Sequence, residues 1–221
     1  MSPRPRETTD AAIMAATHRA MTRIGPRLTL ADVAYEAGIS PATLVQRFGS
    51  KRGLLLAFVA GGASGLREEF ARLRQGAGTP LGAVYATADC MAAMAPTPET
   101  LSNSLAFLQM DLVDPDFHRH ALAHSRTMQA ELKTLLDEAV ASGEIRRCDT
   151  GRLARAVQVV LGGALLQWAI DRDGKAVDRL RDDLHTLLAP RLTHRTATGS
   201  PRRAPVDRRE RRRHRRRFTR A

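Results

Sequence analysis

Residues 29–48 encode two short helices joined by a tight turn, and this pair constrains the fold more than any other feature of the chain. Thr29 lies three residues before Asp32, a spacing at which each side chain can bond the other residue's backbone N–H at a helix start. Small apolar residues then recur on one helical face: Leu30, Val33, Ala34 and Ala37. This pattern predicts a helix of about two turns that begins after Thr29.

A second helix is predicted immediately after the first. Gly38 can adopt the left-handed backbone that a helix end requires. Ser40 then supplies a second N-cap, and Pro41 occupies the first helical position, where its missing N–H costs nothing. Two helices joined by a short glycine turn form a helix-turn-helix, whose second helix enters the major groove of DNA. An ordinary helical corner is the alternative.

The second helix, predicted to run to about Phe48, has one inward and one outward side. Leu44 and Phe48 are four residues apart and are predicted to face the core. The residues left on or near the outer side are Pro41, Ala42, Thr43, Val45, Gln46 and Arg47. Gln46 and Arg47 have the side chains that read adenine and guanine, respectively, through two-point hydrogen bonds.

Helices are predicted on both sides of this pair. Residues 7–24 repeat apolar side chains at helical spacing and stop at Gly25-Pro26, so a first helix completes a three-helix head. Ser50 is a third N-cap, and Lys51 opens a connector helix that is predicted to run to about Leu73.

From about Arg6 to Leu66 the sequence resembles the tetracycline-repressor (TetR) family of transcriptional regulators. The residues that carry the resemblance are Thr29, Val33-Ala34, Ala37-Gly38-Ile39-Ser40, Thr43-Leu44, Phe48, Ser50-Lys51, Leu54 and Leu55. The resemblance implies a homodimer whose N-terminal heads bind double-stranded DNA at a palindromic operator. It also implies a larger helical C-terminal domain that dimerises and binds a small molecule, which usually releases the DNA.

The resemblance assigns individual DNA contacts as well. Thr29 and Lys51 occupy positions that contact the phosphate backbone. With Ser40 and the outward side of the second helix, the predicted DNA-binding set is Thr29, Ser40, Pro41, Ala42, Thr43, Val45, Gln46, Arg47 and Lys51. Val45 departs from the family, which often has a tyrosine there, so a phosphate bond is lost and a methyl contact to thymine replaces it.

Composition favours an all-α chain with two helical domains. The 221 residues are 43% hydrophobic and only 4% aromatic, which suits helices rather than sheets. Five further helices are predicted, over residues 81–95, 99–112, 115–141, 150–172 and 176–189. The predicted division is a DNA-binding head at 6–66, a ligand-binding and dimerisation domain at 67–194, and a disordered tail at 195–221.

The helix predicted over residues 150–172 is apolar on both faces, which is typical of a helix buried on two sides. In so small a domain, one of those sides is expected to face a second copy of the chain. Gly162-Gly163-Ala164 would let two helices approach closely, and in the TetR family the last two helices commonly build the dimer interface. Residues 150–190 are therefore predicted to form a homodimer interface, with a monomeric core helix as the alternative.

Candidate ligand contacts lie on the predicted body helices that resemble the pocket walls of the family. The apolar candidates are Met91, Met94, Phe107, Met110, Met128 and Trp168, and the polar ones are Asn103, Gln109, His124 and Gln167. Core packing is the alternative for the apolar set, and solvent exposure for the polar set. The expected effector is a small apolar or amphipathic molecule.

No cofactor or metal is predicted. His120 and His124 share a helix face, but no acidic or cysteine ligand stands beside them in sequence, so an exposed pair is expected. Cys90 and Cys148 are expected to be reduced thiols of a cytoplasmic protein. No glycine-rich phosphate loop, HExxH motif or nucleophile elbow is present, so only an all-helical enzyme without a recognised motif remains as a catalytic alternative.

Basic charge is concentrated at the C-terminus. Residues 195–221 hold twelve arginines against Asp207 and Glu210, a net of +10 out of the formal +12 of the whole chain. Such a segment is predicted to be disordered and is either a nonspecific DNA tether or a solvated appendage. A nucleoid-type DNA binder driven by this tail is therefore the alternative to a sequence-specific repressor. No membrane span is predicted, since the apolar patches at 54–66 and 157–170 are too short or interrupted.

Overall fold

The structure, a computed structural model, describes residues 8–193, which fold into eleven α-helices. They are α1 (Asp10–Ile24), α2 (Leu30–Ala37), α3 (Pro41–Phe48), α4 (Lys51–Ala60), α5 (Gly62–Gly76), α6 (Pro80–Met94), α7 (Pro98–Leu105), α8 (Leu108–Val113), α9 (Pro115–Ala141), α10 (Thr150–Asp171) and α11 (Ala176–Leu188). Short 3-10 turns follow α1 and α11. Within this part of the chain, the extended pairing is limited to an isolated bridge between Ile145 and Leu192. The predicted all-α fold class is confirmed.

Two predicted helices are each divided in two. The connector predicted from Lys51 is interrupted at Gly61, which gives α4 and α5, because consecutive glycines are poor helix formers. The helix predicted over 99–112 is divided at Phe107, whose N–H donates to Ser104 O at 3.2 Å, three residues back instead of four. This gives α7 and α8. The remaining body helices begin and end within one residue of their predicted bounds.

Apolar side chains form two separate buried clusters. The body cluster draws on α5, α6, α7, α9, α10 and α11 and includes Phe70, Leu132, Leu161 and Trp168. The head cluster draws mainly on α1 to α4 and includes Ile13, Val33, Leu44 and Leu54. These residues recur at the three- and four-residue steps from which the helices are predicted.

Helix α9 takes part in both clusters. Phe117 in its first turn is 2% exposed and belongs to the head cluster, whereas Leu132 and Leu136 are fully buried in the body cluster. At 1.5 Å per residue, its 27 residues give a length of about 40 Å. One continuous helix therefore joins head and body.

The described chain ends beside the loop that follows α9. Thr193 N donates to Glu144 O at 3.1 Å, and Arg146 N donates to Arg191 O at 2.8 Å. These bonds fasten residues 191–193 at the end of α9 that is remote from the head. The predicted basic tail at 195–221 lies outside the described residues, as do residues 1–7.

Among the described residues, α10 is the one helix long and apolar enough to cross a membrane, with a mean hydropathy of 1.5. The apolar patch at residues 157–170 was expected to be too short to cross a membrane, but α10 extends beyond that patch at both ends. A core helix of a soluble protein has the same length and composition, and 39% of the most apolar part of α10 is buried within the chain.

Candidate nucleic-acid interface and ligand cavity

Helix α2 begins with the capping box predicted at Thr29. Asp32 N donates to Thr29 Oγ1 at 3.2 Å, and Thr29 N donates to Asp32 Oδ2 at 2.8 Å. Hydrogen bonds from the Thr29 hydroxyl and then from its backbone lower the pKa of Asp32 below its ordinary value. Thr29 is exposed at the N-terminus of α2, where the helix dipole favours an anion.

The turn between α2 and α3 has the predicted geometry. Gly38 is left-handed, with φ 66° and ψ 34°, and Ile39 N donates to Ala34 O at 3.0 Å. Ser40 Oγ accepts from Thr43 N at 3.2 Å and caps α3, which begins at Pro41. The local bonds therefore fix the direction of α3 relative to α2.

Helix α3 presents the predicted outward side to solvent. Leu44 is fully buried, and Phe48 packs against the head cluster. The exposed residues are Pro41, Ala42, Val45, Gln46 and Arg47, with Thr43 half-buried. Gln46 has no hydrogen-bond partner between residues 8 and 193, so its amide can pair with an external group.

Arg47 and Lys51, two of the predicted DNA contacts, bind residues of the head that are distant in sequence. Arg47 Nη1 donates to Thr8 O at 2.6 Å and lies 3.2 Å from Asp10 Oδ1, which ties α3 to the start of α1. Lys51 Nζ donates to Pro26 O at 3.1 Å. A base contact by Arg47 would require it to exchange these partners. Sequence reasoning missed them because they lie 39 and 37 residues away in the chain.

Asn103 of α7 fastens the body to the end of α1. Its Nδ2 donates to Thr22 O at 2.9 Å and to Arg23 O at 3.2 Å. Gly25 beside it has a φ of 70°, and a Cβ at this position would collide with Asn103 Oδ1. Glycine is therefore needed both for the backbone and for the close approach. Asn103, a predicted ligand contact, lies at this junction.

Arg52 of α4 forms a second junction with the start of α9. Its Nη2 lies 2.9 Å from Asp114 Oδ2 and 2.8 Å from Asp116 Oδ2. The guanidinium also lies over the Phe117 ring, 5.6 Å from its centroid. The hydrogen bonds from Arg52 lower the pKa of both carboxyls and raise the pKa of Arg52 itself. Head and body are thus joined by an ion-pair network above a buried ring.

A cavity of about 630 Å³ lies between head and body, and is called the junction cavity below. Its walls include Met14 and His18 of α1, Phe58 of α4, Met94 of α6, Asp111 of α8 and His124 of α9. Its volume falls within the range of about 300–1,000 Å³ that small-molecule sites occupy. An adjoining cavity of about 260 Å³ shares Met94 and His124 with it.

The ten predicted ligand contacts fall into three groups: those that line the two adjoining cavities, those at the head–body junction, and those that lie elsewhere. Gln109, which is exposed, belongs to the last group. Those that line the two adjoining cavities are Met91, Met94, His124 and Met128. Those at the head–body junction are Asn103, Phe107 and Met110, of which the last two pack against the head cluster. Gln167 is exposed and bonds Asp171, while Trp168 is buried in the body cluster and donates to Gly174 O at 3.2 Å.

Sequence reasoning missed the cavity walls contributed by Met14, His18 and Phe58, because all three lie in the segment assigned to the DNA-binding head, residues 6–66. It also missed Asp111, which sequence alone places on an ordinary amphipathic helix. Of His120 and His124, expected as an exposed pair, His124 is exposed as expected and His120 is half-buried; both line the junction cavity.

Burial shifts the pKa of two side chains that line the junction cavity. It raises the pKa of Asp111, against the opposing effect of His124. It lowers the pKa of His124, against the opposing effect of Asp111. No lysine or arginine is among the described residues that line the cavity. The His18 ring stacks on Phe58, with centroids 6.2 Å apart and planes inclined by 14°.

An open apolar strip runs along α10. Its members are exposed and spaced on one side of the helix: Val159, Gly162, Gly163, Leu166 and Ile170. Val159 is 67% and Ile170 66% exposed, although both are large apolar residues. A Cβ built at either glycine meets nothing within 4 Å, so a second helix can approach closely here.

No metal centre is formed by residues 8–193, since no three His, Cys, Asp or Glu side chains converge there. Cys90 and Cys148 are both free thiols, as expected from their separation.

Family models match both halves of the chain. Residues 13–58 match the model for bacterial regulatory proteins of the tetR family, and residues 86–193 match the C-terminal model for BetI-type transcriptional repressors. No curated protein sequence matches the chain.

Several solved structures share the fold. A TetR transcription regulator from Haloarcula marismortui has 20% identity and a TM-score of 0.65, over 83% of this chain and 98% of that one. SmeT, the repressor of the Stenotrophomonas maltophilia multidrug efflux pump SmeDEF, has 20% identity and a TM-score of 0.60, over 90% and 98%. FadR from Bacillus subtilis, in complex with stearoyl-CoA, has 16% identity and a TM-score of 0.62, over 82% and 98%.

At these identities the solved structures establish the fold, whereas the two family models together match more than half of the chain. That family consists of transcription regulators, not enzymes. The chain belongs to the TetR family of ligand-responsive, DNA-binding transcriptional regulators.

Proposed function

We propose that this protein is a cytoplasmic, homodimeric repressor that binds a palindromic operator and is released by a small effector in the junction cavity. The observation that carries the proposal is the exposed side of α3, which the caps at Thr29 and Ser40 and the turn at Gly38 hold in a fixed direction. In SmeT, a relative in fold, the same kind of head belongs to a repressor of an efflux pump.

The DNA contacts follow from that side of α3. Gln46 is the base-reading residue with the clearest chemistry, because its amide is exposed and can pair with adenine in the major groove. Thr29, Ser40 and Lys51 flank α3 at helix starts, which suits contacts to phosphate. Arg47 joins the readout if DNA displaces Thr8 and Asp10 from its guanidinium.

The junction cavity supplies a route from effector to DNA. Met14 and His18 belong to α1 of the head, so a ligand that presses on them acts on the head directly. In a dimer, half-sites lie about 34 Å apart, so a shift of a few ångströms prevents both heads from binding at once. Effector binding and operator binding are then mutually exclusive.

The dimer in this proposal uses the exposed strip on α10. Double replacement Val159→Glu and Ile170→Glu should convert a particle of two chains into one of a single chain, measured by light scattering, because it puts charges into an apolar contact. Leu112→Glu is the matched control, since Leu112 is 68% exposed but lies on α8. If the double variant keeps the mass of two chains, α10 does not form the dimer interface.

Operator binding is tested by fluorescence anisotropy at physiological salt, with DNA from upstream of the protein's own gene and scrambled DNA of equal length. Gln46→Ala should weaken binding to the preferred DNA by about 1–3 kcal/mol and relax its sequence preference. Gln75→Ala, an exposed glutamine at the end of α5, is the control and should change neither. Equal binding of both DNAs would favour a nonspecific binder instead.

A further inference from the structure

The junction cavity combines mainly apolar walls with one acidic side chain. Met14, Phe58 and Met94 supply thioether and ring surface, which suits an apolar ligand of adaptable shape. Asp111 is the formally negative side chain among them. A site of this composition selects its ligand by apolar area first and by charge second.

Among the described residues, Asp111 differs from neighbouring carboxylates because no lysine or arginine is paired with it. Within residues 8–193, Asp114 and Asp116 are paired with Arg52, and Glu69 of the adjoining cavity is paired with Arg72. The Asp111 carboxylate has no such ion pair and no side-chain hydrogen bond in that part of the chain. Partial burial without a partner disfavours its charged form, so a bound cation would be stabilised there.

The other titratable side chains that line the cavity are histidines, and within residues 8–193 none of them forms an ion pair with Asp111. His18 faces the cavity from α1, and His120 and His124 face it from α9. Burial lowers the pKa of His124 and so disfavours its charged form. The His118 ring bonds the backbone oxygen of Asp111 at 3.2 Å, not its carboxylate. Among the described residues that line the cavity, Asp111 is therefore the one side chain with a formal charge when histidine is counted as neutral, and that charge is negative.

An aromatic surface lies in the same cavity. The rings of His18 and Phe58 stack on each other and both line the cavity, and an organic cation gains energy from the π-face of an aromatic ring in addition to its apolar contact. A carboxylate and a ring pair in one apolar cavity complement a ligand that is both lipophilic and positively charged.

We infer that the junction cavity binds a lipophilic organic cation, with Asp111 as its counter-ion and the His18–Phe58 pair as its stacking surface. The inference deepens the proposed function, on which it rests for the role of this cavity as the effector site. Because His18 belongs to α1, the DNA-binding head then forms part of the ligand site.

The test compares two ions of nearly equal size and opposite charge, tetraphenylphosphonium and tetraphenylborate, by isothermal titration calorimetry on the full-length protein. The wild-type protein should bind the cation about tenfold or more tightly than the anion. Because the formal net charge of the chain is +12, nonspecific attraction favours the anion, and a preference for the cation has to come from a specific site.

The variant Asp111→Asn keeps the shape of the side chain and removes its charge. It should weaken tetraphenylphosphonium binding by about tenfold or more and leave tetraphenylborate binding unchanged or stronger. The matched control is Glu69→Gln, which removes a carboxylate from the adjoining cavity that Arg72 already pairs. This control should retain the wild-type preference for the cation.

Equal or tighter binding of tetraphenylborate to the wild-type protein overturns the inference, as does an Asp111→Asn variant that keeps the full preference. These measurements need no DNA, so they stand apart from the test of operator binding. If a neutral or anionic compound releases operator DNA with no dependence on Asp111, the inference fails while the proposed function stands.

Discussion

Truncation of Phe117 tests how strongly head and body are coupled. Its ring is 2% exposed and belongs to the head cluster, yet it is carried by the first turn of α9, a helix that otherwise packs in the body. Phe117→Ala therefore removes apolar contact from the head and leaves the body cluster intact. The head should become separately less stable than the body.

The magnitude follows from the buried ring. A phenylalanine that buries about 150–200 Å², at about 25 cal/mol per Å², contributes about 4–5 kcal/mol. Measured Phe→Ala replacements in protein cores cost about 3–5 kcal/mol, which includes the cavity left behind. We expect the free energy of unfolding of the head to fall by an amount in this range.

The single tryptophan of the chain provides the assay. Trp168 is 6% exposed in the body cluster, so its fluorescence follows the body, whereas far-UV circular dichroism follows all helices. In urea at one protein concentration, the two signals should change together in the wild-type protein. In Phe117→Ala, the circular dichroism should begin to fall at a lower urea concentration than the Trp168 signal.

Phe70→Ala is the matched control, because Phe70 is 1% exposed in the body cluster. It should shift the Trp168 signal at least as far as the circular dichroism. Coincident transitions in Phe117→Ala, or a loss below about 1 kcal/mol, would refute the reasoning that this ring holds the head to the body.

Three further outcomes are expected. Gly25→Ala and Gly78→Ala both place a side chain at a φ near +70°, which costs about 1–2 kcal/mol of backbone strain. Only the Gly25 variant also collides with α7, so it should lower the unfolding temperature more than the Gly78 variant does. Equal losses in the two variants would contradict the close approach of α7 to Gly25. Thr29→Ala should lower the free energy of unfolding in urea by about 1 kcal/mol, because the N-cap of α2 is lost. Thr29 lowers the pKa of Asp32, so Asp32 stabilises the fold only while it is ionised, and the variant should lose less stability than the wild-type protein as the pH falls below about 4. An unchanged dependence of stability on pH in this range would argue against this role of Asp32. Asp111→Asn should raise the unfolding temperature at pH 7, because burial raises the pKa of Asp111 and its ionised form disfavours the fold. This gain should vanish as the pH falls through that raised pKa. A variant that is less stable than the wild-type protein at pH 7 would refute the conclusion that the Asp111 carboxylate is uncompensated.

The head follows closely from the sequence because its determinants are local. The bonds between Thr29 and Asp32 and between Ser40 and Thr43 each span three residues, and Gly38 needs no distant partner for its left-handed backbone. Such interactions can be inferred from spacing alone.

The junction cavity could not be inferred in this way, because its walls come from distant parts of the chain. Met14 and His124 are separated by most of the head and half of the body, and nothing in the spacing of either helix indicates that they meet. The partners of Arg47 are likewise 39 and 37 residues away. The division of the helix predicted over residues 99–112 also depends on tertiary packing, because the Phe107 ring at the break packs against the head cluster.

The bonds that hold Thr193 beside Glu144 have a practical consequence for anyone who labels this protein. A dye, affinity handle or surface linker attached at position 193 lies about 40 Å, the length of α9, from the head. A label at position 8 lies beside Arg47, which donates to Thr8 O. Immobilisation at position 193 therefore leaves the exposed side of α3 accessible to DNA in solution.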